Sequence, residues 1–327
     1  MQPHPAIIFL GGLVVIIVGA EVLLRGATRM AAMLNIQPIL IGLTVVAIGT
    51  SMPELAVGIT AAYEGKGPLS VGNIAGGNLF ILLFVLGLSA LYRPLPLRLQ
   101  SIKFDVPVMI ATSLMLIAMA WDGVLSRTEG AILVGASIAY FTTLVRLSRR
   151  ESARMKLEFA QEYSPSALKT RPSPRQWAWK GLLLAGGIAL TIIGANLLVA
   201  GAVDIATSFG VSDAVIGLTI VAFGTNAPEL TTTLVATLKD DRDVAIGNLI
   251  GSSITNILVI LGLICLAAPG GIEVSSDVLR IDLPLAALVA LVCLPVFRSD
   301  QKVTRREGAF FVAAYIAYLS SLLLLRT

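Results

Sequence analysis

The sequence has few charged residues. Asp, Glu, Lys and Arg make up 13% of its 327 residues, about half of the share of about 25% that is usual in a soluble domain. Hydrophobic residues reach 56%, and the mean hydropathy is +0.87. This composition excludes an ordinary soluble domain and predicts a chain that crosses a lipid bilayer several times.

Residues that carry redox or hydrolytic chemistry are also scarce. The chain has one histidine, His4, and two cysteines, Cys265 and Cys293, which both lie in apolar runs. A disulfide framework, a zinc site and a cofactor are therefore not expected. No nucleophile is paired with a base, and no His-Glu zinc motif is present, so the chain is not expected to be an enzyme such as an intramembrane hydrolase.

Positive charge is in modest excess, with a net charge of +4 and a pI near 9.2. In a soluble protein this balance could indicate nucleic-acid binding. In a membrane protein, lysine and arginine instead mark the cytoplasmic loops, so no nucleic-acid partner is expected.

Ten apolar runs are long enough to cross a bilayer as helices, which takes about 20 residues each. They lie near 5–25, 37–63, 69–92, 104–121, 128–147, 181–203, 212–237, 244–268, 281–297 and 306–325. The N-terminus lacks the features of a cleaved signal peptide, so the first run is expected to be retained as a helix. The predicted organisation is a first half (1–148), a basic linker (149–180) and a second half (181–327).

The distribution of lysine and arginine predicts the orientation. With the linker in the cytoplasm, five preceding helices place the N-terminus outside, and the C-terminus then also lies outside. Of the 24 lysines and arginines, all but Lys66, Arg127, Arg280 and Arg326 lie on the cytoplasmic side of this arrangement, as the positive-inside rule requires. The predicted location is the plasma membrane, which in a bacterium is the inner membrane.

The two halves share a repeated motif. Gly42-Leu-Thr-Val-Val-Ala-Ile-Gly-Thr-Ser-Met-Pro-Glu54 recurs 175 residues later as Gly217-Leu-Thr-Ile-Val-Ala-Phe-Gly-Thr-Asn-Ala-Pro-Glu229. Because five helices separate equivalent points, the two halves must enter the membrane from opposite faces. The predicted fold class is an all-α polytopic membrane protein with ten transmembrane helices in two inverted-topology five-helix repeats.

Each copy of the motif places a glutamate inside an apolar segment, directly after a proline. A carboxylate in the membrane is costly, so it indicates a functional site. The proline removes a backbone donor and frees a carbonyl one turn earlier, which predicts a broken or kinked helix. The inverted symmetry is expected to bring Glu54 and Glu229 together at one site near the bilayer midplane.

Oxygen ligands surround both glutamates in the sequence. Freed carbonyls and nearby hydroxyls, together with carboxylates, are the ligands that calcium and sodium prefer. For the polar residues Asn73, Asn248, Ser252 and Asn256, both ligation and hydrogen bonding between helices stay open. The residues expected to shape the site are Pro53, Pro228, Asn73, Asn248, Gly49 and Gly224.

The motifs Gly-Thr-Ser-Met-Pro-Glu54 and Gly-Thr-Asn-Ala-Pro-Glu229 are each followed by a Gly-Asn-Xaa-Xaa-Gly segment. Together they resemble the two alpha repeats of the cation/calcium antiporter superfamily, above all its prokaryotic sodium/calcium exchangers. The resemblance covers nearly the whole membrane portion. It implies alternating access, in which one site binds either calcium or sodium and the first helix of each half slides as a gate.

The resemblance also implies ligands. Glu54 and Glu229 match the calcium carboxylates, Thr50 and Thr225 match residues that bind through backbone carbonyls, and Ser51 and Ser252 match hydroxyl ligands of sodium. With the amides of Asn256 and Asn226, the predicted metal-binding set is Glu54, Glu229, Thr50, Thr225, Ser51, Ser252, Asn256 and Asn226.

This chain departs from the family pattern at three positions. The family has Asn or Asp 27 residues after each motif glutamate, where this chain has Ile81 and Asn256. Gly77 replaces an expected serine, and Asn226 replaces the second motif serine. Two carboxylates still balance one calcium ion, so we expect calcium binding with fewer coupled sodium ions than the usual three, or with coupling to protons.

The predicted function is a secondary antiporter that exports Ca²⁺ in exchange for Na⁺, with inorganic cations and the lipid bilayer as its partners. A proton-coupled or potassium-dependent exchanger of the same fold is the first alternative, which would make H⁺ or K⁺ a transported ion. A non-transporting membrane scaffold or sensor is the second. The sequence does not fix the oligomeric state.

The remaining charges are expected to be structural. Solvation or the helix dipole is expected to accommodate the acidic residues at helix ends, and Glu21 is expected to pair with Arg25 one turn later. The acidic run between 240 and 243 is expected to form a solvated turn. The four helix-end residues are Asp105, Glu129, Asp282 and Glu307.

Overall fold

The computed structural model describes residues 4–34, 36–99, 101–162, 174–209 and 222–325, and most of them are helical. The first half contains α1 (Pro5–Leu34), α2 (Pro38–Thr50), α3 (Met52–Tyr63), α4 (Gly67–Tyr92), α5 (Ser101–Asp122) and α6 (Arg127–Glu162). The second contains α7 (Pro174–Ser208), α8 (Ala222–Thr225), α9 (Ala227–Leu238), α10 (Arg242–Ala267), α11 (Val278–Ser299) and α12 (Arg305–Leu325). Two-residue strands lie at Leu95–Pro96 (β1), Val124–Leu125 (β2), Ile272–Glu273 (β3) and Lys302–Val303 (β4).

These helices follow the predicted spans. Seven helices, and the bent pair α2 and α3, are long and apolar enough to cross a membrane. Helix α12 occupies the predicted span near 306–325, and α8 with α9 occupies the end of the span near 212–237, whose first ten residues lie outside the described residues. The all-α polytopic fold class is therefore confirmed.

The predicted linker begins and ends in helix. Helix α6 continues past the expected membrane boundary to Glu162, and α7 begins at Pro174, ahead of the predicted span. Residues 163–173 of the linker lie outside the described residues.

Helices α1 and α7, the first of each half, are antiparallel and touch through their backbones. Glycines recur every seventh residue on both, at Gly12, Gly19 and Gly26 and at Gly187, Gly194 and Gly201. A Cβ on Gly201 would lie 2.5 Å from the Phe9 amide nitrogen, and one on Gly187 would lie 2.4 Å from that of Leu23. The contact therefore runs along most of both helices, and its antiparallel sense agrees with inverted repeats.

Both motif segments form broken helices, as predicted. The break between α2 and α3 falls at Ser51 with a bend of 41°, and the break between α8 and α9 falls at Asn226. Pro53 and Pro228 lie in the first turn of the helix that follows each break. Proline is tolerated there because the first amides of a helix have no intrahelical partner.

Helices α4 and α10 form the centre of the molecule. In their apolar stretches 78% and 83% of residues are buried, compared with 33% in α1 and 28% in α7. Both central helices contain a widened π turn, at Phe80–Val85 and Asn256–Leu261. Short ribbons join the two halves outside this core, since β1 pairs with β4 and β2 pairs with β3, both antiparallel.

Several charged loops contact one another at one face, which we call the basic face and define by the loops containing Arg93, Arg98, Lys239 and Lys302. Arg98 binds both carboxylate oxygens of Asp243, with Nε to Oδ1 at 2.9 Å. It also donates to Gln37 Oε1 at 2.6 Å. The acidic run is therefore tied to a loop of the first half, rather than being only a solvated turn.

The predicted pair of Glu21 and Arg25 is present, and Lys239 Nζ also contacts Glu21 Oε1 at 2.6 Å. This contact joins α1 to the loop after α9. Glu129 and Glu307 cap their helices, as expected for acidic residues at helix N-termini. Glu129 Oε2 accepts from the Ser126 amide at 2.7 Å, and Glu307 Oε2 accepts from the Thr304 amide at 2.8 Å.

Solvation was the wrong expectation for Asp105 and Asp282. These residues are only 1% and 4% exposed. Asp105 Oδ1 accepts a hydrogen bond from the Tyr140 hydroxyl at 3.2 Å, and Asp282 Oδ1 accepts one from that of Tyr318 at 3.1 Å. Each aspartate ends a π turn inside its helix, so it lies in the packed interior instead of at the solvated helix end.

Candidate ion-binding site

The two motif glutamates meet in the interior. Glu54 is 0% and Glu229 is 1% exposed, and Glu229 accepts a hydrogen bond from Ser51, which lies three residues before Glu54. Each lies in the first turn of the helix after a break. The broken helices thus place two negative charges in one buried volume, which is unfavourable without a positive charge between them.

Contacts between the halves tie the two breaks to each other. Ser51, at the first break, donates from Oγ to Glu229 Oε1 at 2.9 Å. Thr50 Oγ1 bonds back to the Val46 carbonyl at 3.1 Å and lies 3.4 Å from Asn248 Oδ1. The motif of the first half therefore directly contacts the Glu229 carboxylate and the Gly247-Asn248 segment of the second half.

Asn248 spans the second half of the site. Its Nδ2 donates to Thr233 Oγ1 at 3.0 Å and lies 3.4 Å from the Glu229 carbonyl. Of the two alternatives left open for this residue, the geometry favours hydrogen bonding between helices. Its repeat equivalent Asn73 is only partly buried and lies on α4 beside a cavity.

A second pair of amides crosses between the halves. Asn256 Nδ2 donates to Asn78 Oδ1 at 3.3 Å, and Asn78 Nδ2 donates to the Ser253 carbonyl at 3.1 Å. Asn78 was not among the predicted site residues, although it lies three positions before Ile81, where the family pattern has an amide or acid. Its side chain supplies an amide from α4 that Ile81 lacks.

Several buried oxygens have no hydrogen-bond partner within the described part of the chain. Both carboxylate oxygens of Glu54 and Oε2 of Glu229 are among them. So are oxygens of two predicted ligands, Ser252 Oγ and Asn256 Oδ1. An unsatisfied buried polar atom costs about 1–3 kcal/mol, and more if it is charged, so a group of them indicates a bound species.

Two further hydroxyls belong to the same set but were not predicted from the sequence. Thr232 Oγ1 and Ser253 Oγ are buried without a partner among the described residues. Thr232 lies one helical turn after Glu229 on α9, and this i, i+3 spacing is the signal that could have identified it. Hydroxyl-rich helices are common in membrane proteins, so the residue type alone does not distinguish ligation from packing.

Asn226 and Thr225 lie at the second break, on the wall of a cavity that also contains Gly77. A Cβ on Gly77 would lie 3.0 Å from Asn226 Oδ1. The asparagine therefore reaches the space that a serine at position 77 would need. Two of the departures from the family pattern therefore lie next to each other. Asn226 is larger than the serine of the pattern, and Gly77 lacks the serine side chain that would otherwise fill the adjacent space.

Two glycines of the segment 247–251 lie against the backbone of the first half; the residues equivalent to their partners, near 214 and 218, lie outside the described residues. A Cβ on Gly247 would lie 2.7 Å from the Ile39 carbonyl oxygen, and one on Gly251 would lie 2.7 Å from Leu43 Cα, so both serve close packing of α10 on α2. Their equivalents in α4, Gly72 and Gly76, line the cavity.

Among the residues that the structure describes, no three His, Cys, Asp or Glu side chains are placed so that they could hold a metal ion together. A cation at this site must therefore take its remaining ligands from hydroxyl, amide and carbonyl oxygens. Such a donor set suits calcium and sodium and does not suit zinc or copper.

A model of the sodium/calcium exchanger protein family matches residues 4–146 and 179–324 of the chain. The chain belongs to this family. The matched segments cover both halves of this exchanger family member and leave out most of the linker.

Relatives match over nearly the whole length. A protein of Alkalimonas amylolytica that carries the name antiporter CaxA is 38% identical over 95% of this chain and 96% of its own. The sodium/calcium exchanger MaX1 of Methanosarcina acetivorans is 29% identical over 96% and 97%. A solved structure of the sodium-calcium exchanger NCX_Mj superposes with a TM-score of 0.82 at 29% identity, over 97% of this chain and 98% of that one. The exchanger fold with its two repeats is thus shared over 97% of the chain.

Proposed function

We propose that this antiporter exports Ca²⁺ in exchange for Na⁺, and that Glu54 and Glu229 form the shared site. One observation supports this most: two fully buried carboxylates, linked through Ser51, have three of their four oxygens unpartnered among the described residues. A divalent cation between them neutralises both charges and satisfies these oxygens.

Exchange follows from competition for the same carboxylates. Calcium uses both negative charges, and sodium ions that occupy the same oxygens, helped by the hydroxyls of Ser51 and Ser252, displace it. Because neither ion can be bound while the other fills the site, each crossing of one is linked to a return of the other. The proposed carbonyl ligands are those of Thr50 and Thr225, with amide oxygens from Asn226 and Asn256.

The departures from the family pattern bear on the coupling ion. Ile81 offers no ligand, and Asn226 lies against Gly77 where a serine would otherwise stand. We therefore propose fewer than three sodium ions per calcium, or proton coupling through the two glutamates. A reversal potential in proteoliposomes that corresponds to three sodium ions per calcium would contradict this proposal.

We also propose that the basic face is cytoplasmic, in the bacterial inner membrane or an equivalent plasma membrane, with both termini outside. The positive-inside distribution supports it, as does the clustering of Arg93, Arg98 and Lys239 at one face through their ion pairs. The basic linker would then lie in the cytoplasm between the two halves.

The function is tested by calcium flux in proteoliposomes with sodium, potassium and proton gradients imposed one at a time. We expect calcium movement that follows the sodium gradient and disappears in Glu54→Gln and Glu229→Gln variants that still insert into the membrane. Transport that persists without sodium but collapses with an uncoupler would select proton coupling instead. Unaltered flux in both glutamine variants would refute the site.

A further inference from the structure

Helices α1 and α7 form a pair that is separate from the main apolar core. The buried residues of that core come from α2, α4, α5, α6, α10, α11, α12 and the short ribbons, and among the described residues α1 and α7 contribute none to it. The two helices instead contact each other through their glycines and reach the remaining helices through smaller apolar clusters. The position of this helix pair against the core is therefore set by a few local contacts.

One of these clusters lies at the basic face, where α1 meets the end of α9 and the beginning of α10. Ala20 and Leu24 of α1 belong to it. Their partners are Val235, Ala236, Val244 and Ala245. Half of the six side chains are alanines, which form only shallow ridges, so this contact alone does not fix the position of α1 along its axis.

This junction is closed, and it lies next to the ion-binding site. Ala20 and Val244 are both 0% exposed. Val244 lies one helical turn before Asn248 on α10, and Asn248 Oδ1 lies 3.4 Å from the Thr50 hydroxyl of the site. A passage that followed α10 from the basic face to the site would therefore have to open this junction.

An ion pair holds α1 at the junction. Glu21 follows Ala20, and its Oε1 lies 2.6 Å from Nζ of Lys239, in the loop after α9. Arg25, one turn further along α1, binds the same carboxylate. A displacement of α1 by one helical turn, about 5.4 Å, would separate Glu21 from Lys239 but leave it paired with Arg25. The contact between α1 and the loop can therefore break and re-form without leaving the carboxylate unpaired.

The loop that carries Lys239 is itself fixed to the first half. The next residue, Asp240, has a left-handed φ of 62°, which is uncommon for a residue other than glycine. Its equivalent in the first half is Gly65, with a φ of 72°. Asp240 provides a carboxylate that glycine lacks, and this carboxylate pairs with Arg93 at 3.3 Å. The bond between Lys239 and Glu21 therefore joins a fixed loop to the separate helix pair.

This ion pair belongs to one half of the repeat. At the offset of 175 residues, the positions of Glu21 and Lys239 are occupied by Asn196 and Glu64. A neutral amide and a carboxylate do not form the same pair. A contact present in both halves would stabilise both states of an inverted repeat equally, whereas a contact present in one half favours one state.

We propose that Glu21 and Lys239 form an ionic latch, which holds α1 against α9 and α10, and that the site opens to the basic face only when this pair breaks. The inference rests on the proposed transport function, because it assigns the contact that must break before the shared site can be reached from this face.

The test labels a cysteine at the junction with a maleimide added at the basic face. Val244→Cys changes the side-chain volume little, and it is placed in a chain in which Cys265 and Cys293 are replaced by alanine. In this background we expect Lys239→Gln to raise the labelling rate about twofold to fivefold, the range that a partly exposed ion pair supports. The calcium KM in vesicles that expose the basic face should fall by a similar factor, because more of the protein is then competent to bind calcium there.

Arg25→Gln is the matched control, because it removes the other partner of the same carboxylate but no contact between elements. It should leave the labelling rate and KM unchanged, and so should Lys239→Arg, which keeps the charge. Glu21→Gln breaks the pair from the side of α1, so it should reproduce Lys239→Gln, and combining the two should add nothing. Added choline chloride should reduce the difference between Lys239→Gln and the chain with Lys239, since salt screens an exposed ion pair.

An unchanged labelling rate in Lys239→Gln would overturn the proposal. An equal increase in Arg25→Gln would also overturn it, because any loss of charge would then loosen this face. So would faster labelling with an unchanged calcium KM, since the junction would then not control access. If Lys239→Gln does not fold, Glu21→Gln decides by the same criteria.

These results are distinguishable from failure of the proposed function. If the wild type takes up calcium and Glu54→Gln does not, while Lys239→Gln does not increase labelling, the transport site stands and the latch is refuted. If the wild type moves no calcium under any gradient, the proposed function fails, and the labelling rates alone then show whether the ion pair closes the junction.

Discussion

The backbone contact between α1 and α7 makes a strong prediction about two adjacent glycines. A Cβ on Gly187 would lie 2.4 Å from the Leu23 amide nitrogen, whereas a Cβ on Gly186 meets no described atom within 4 Å. Since ordinary contacts begin near 3.4 Å, Gly187→Ala must separate the helices locally by about 1 Å. Gly186→Ala requires no such movement.

The expected difference in stability follows from two effects. Replacing glycine by alanine within a helix gains up to about 1 kcal/mol through helix propensity, and this gain is common to both variants. Overpacking costs about 1–3 kcal/mol and applies only to Gly187. We therefore expect Gly187→Ala to be about 1–3 kcal/mol less stable than Gly186→Ala.

Thermal unfolding of both purified variants in the same detergent measures this difference. Gly187→Ala should unfold at a clearly lower temperature than Gly186→Ala, which should unfold at the wild-type temperature or slightly above it. Equal unfolding temperatures for the two variants would show that α1 and α7 do not touch through their backbones, and would refute the packing on which the relation between the halves depends.

Three further predictions concern the site and the basic face. Ser51→Ala removes a proposed sodium ligand that contacts Glu229. The sodium concentration needed to displace calcium in a binding titration should rise about tenfold, which corresponds to about 1.4 kcal/mol. An unchanged sodium concentration would remove Ser51 from the ligand set. Gly77→Ser should impair calcium uptake because it crowds Asn226, and uptake should recover when Asn226→Ser is added; additive losses in the double variant would contradict that contact. Asp243→Asn breaks the ion pair with Arg98 and should increase maleimide labelling of a cysteine placed at Leu40, which lines a void of about 10 Å³ beside Arg98. Unchanged labelling would mean that the ion pair does not hold this face closed.

The broken helices and the pairing of the two glutamates could be predicted from the sequence. Pro53 and Pro228 each exclude a normal helical hydrogen bond, and the two motifs are nearly identical. A costly carboxylate at equivalent points of two inverted halves has few positions where it can be accommodated, and the symmetry places both at one centre. The cost of a carboxylate in the membrane and the symmetry of the repeat therefore predict the same central position for Glu54 and Glu229.

The partners of Asp105 and Asp282 could not be predicted in the same way. Acidic residues near the beginning of an apolar helix are usually solvated or stabilised by the helix dipole. Here each aspartate ends a π turn and is buried, next to a tyrosine more than thirty residues away in the chain. Neither the widened turn nor such a distant contact leaves a signal in a single sequence.

Asn78 illustrates a different limit. The family pattern directed attention to Ile81, where a ligand is missing, but the amide that bonds to Asn256 comes from three residues earlier. In a helix, residues three positions apart share a face, so a neighbouring turn can supply a polar group that one position lacks. Position-by-position comparison therefore overstates how much of the polar site has been lost.

Calcium binding to the purified protein, titrated with and without sodium, tests the central claim most directly. The account predicts that the wild type binds calcium, that sodium displaces it competitively, and that Glu54→Gln and Glu229→Gln each lose calcium binding while remaining folded. Wild-type calcium affinity in both glutamine variants would contradict a shared site formed by these two carboxylates.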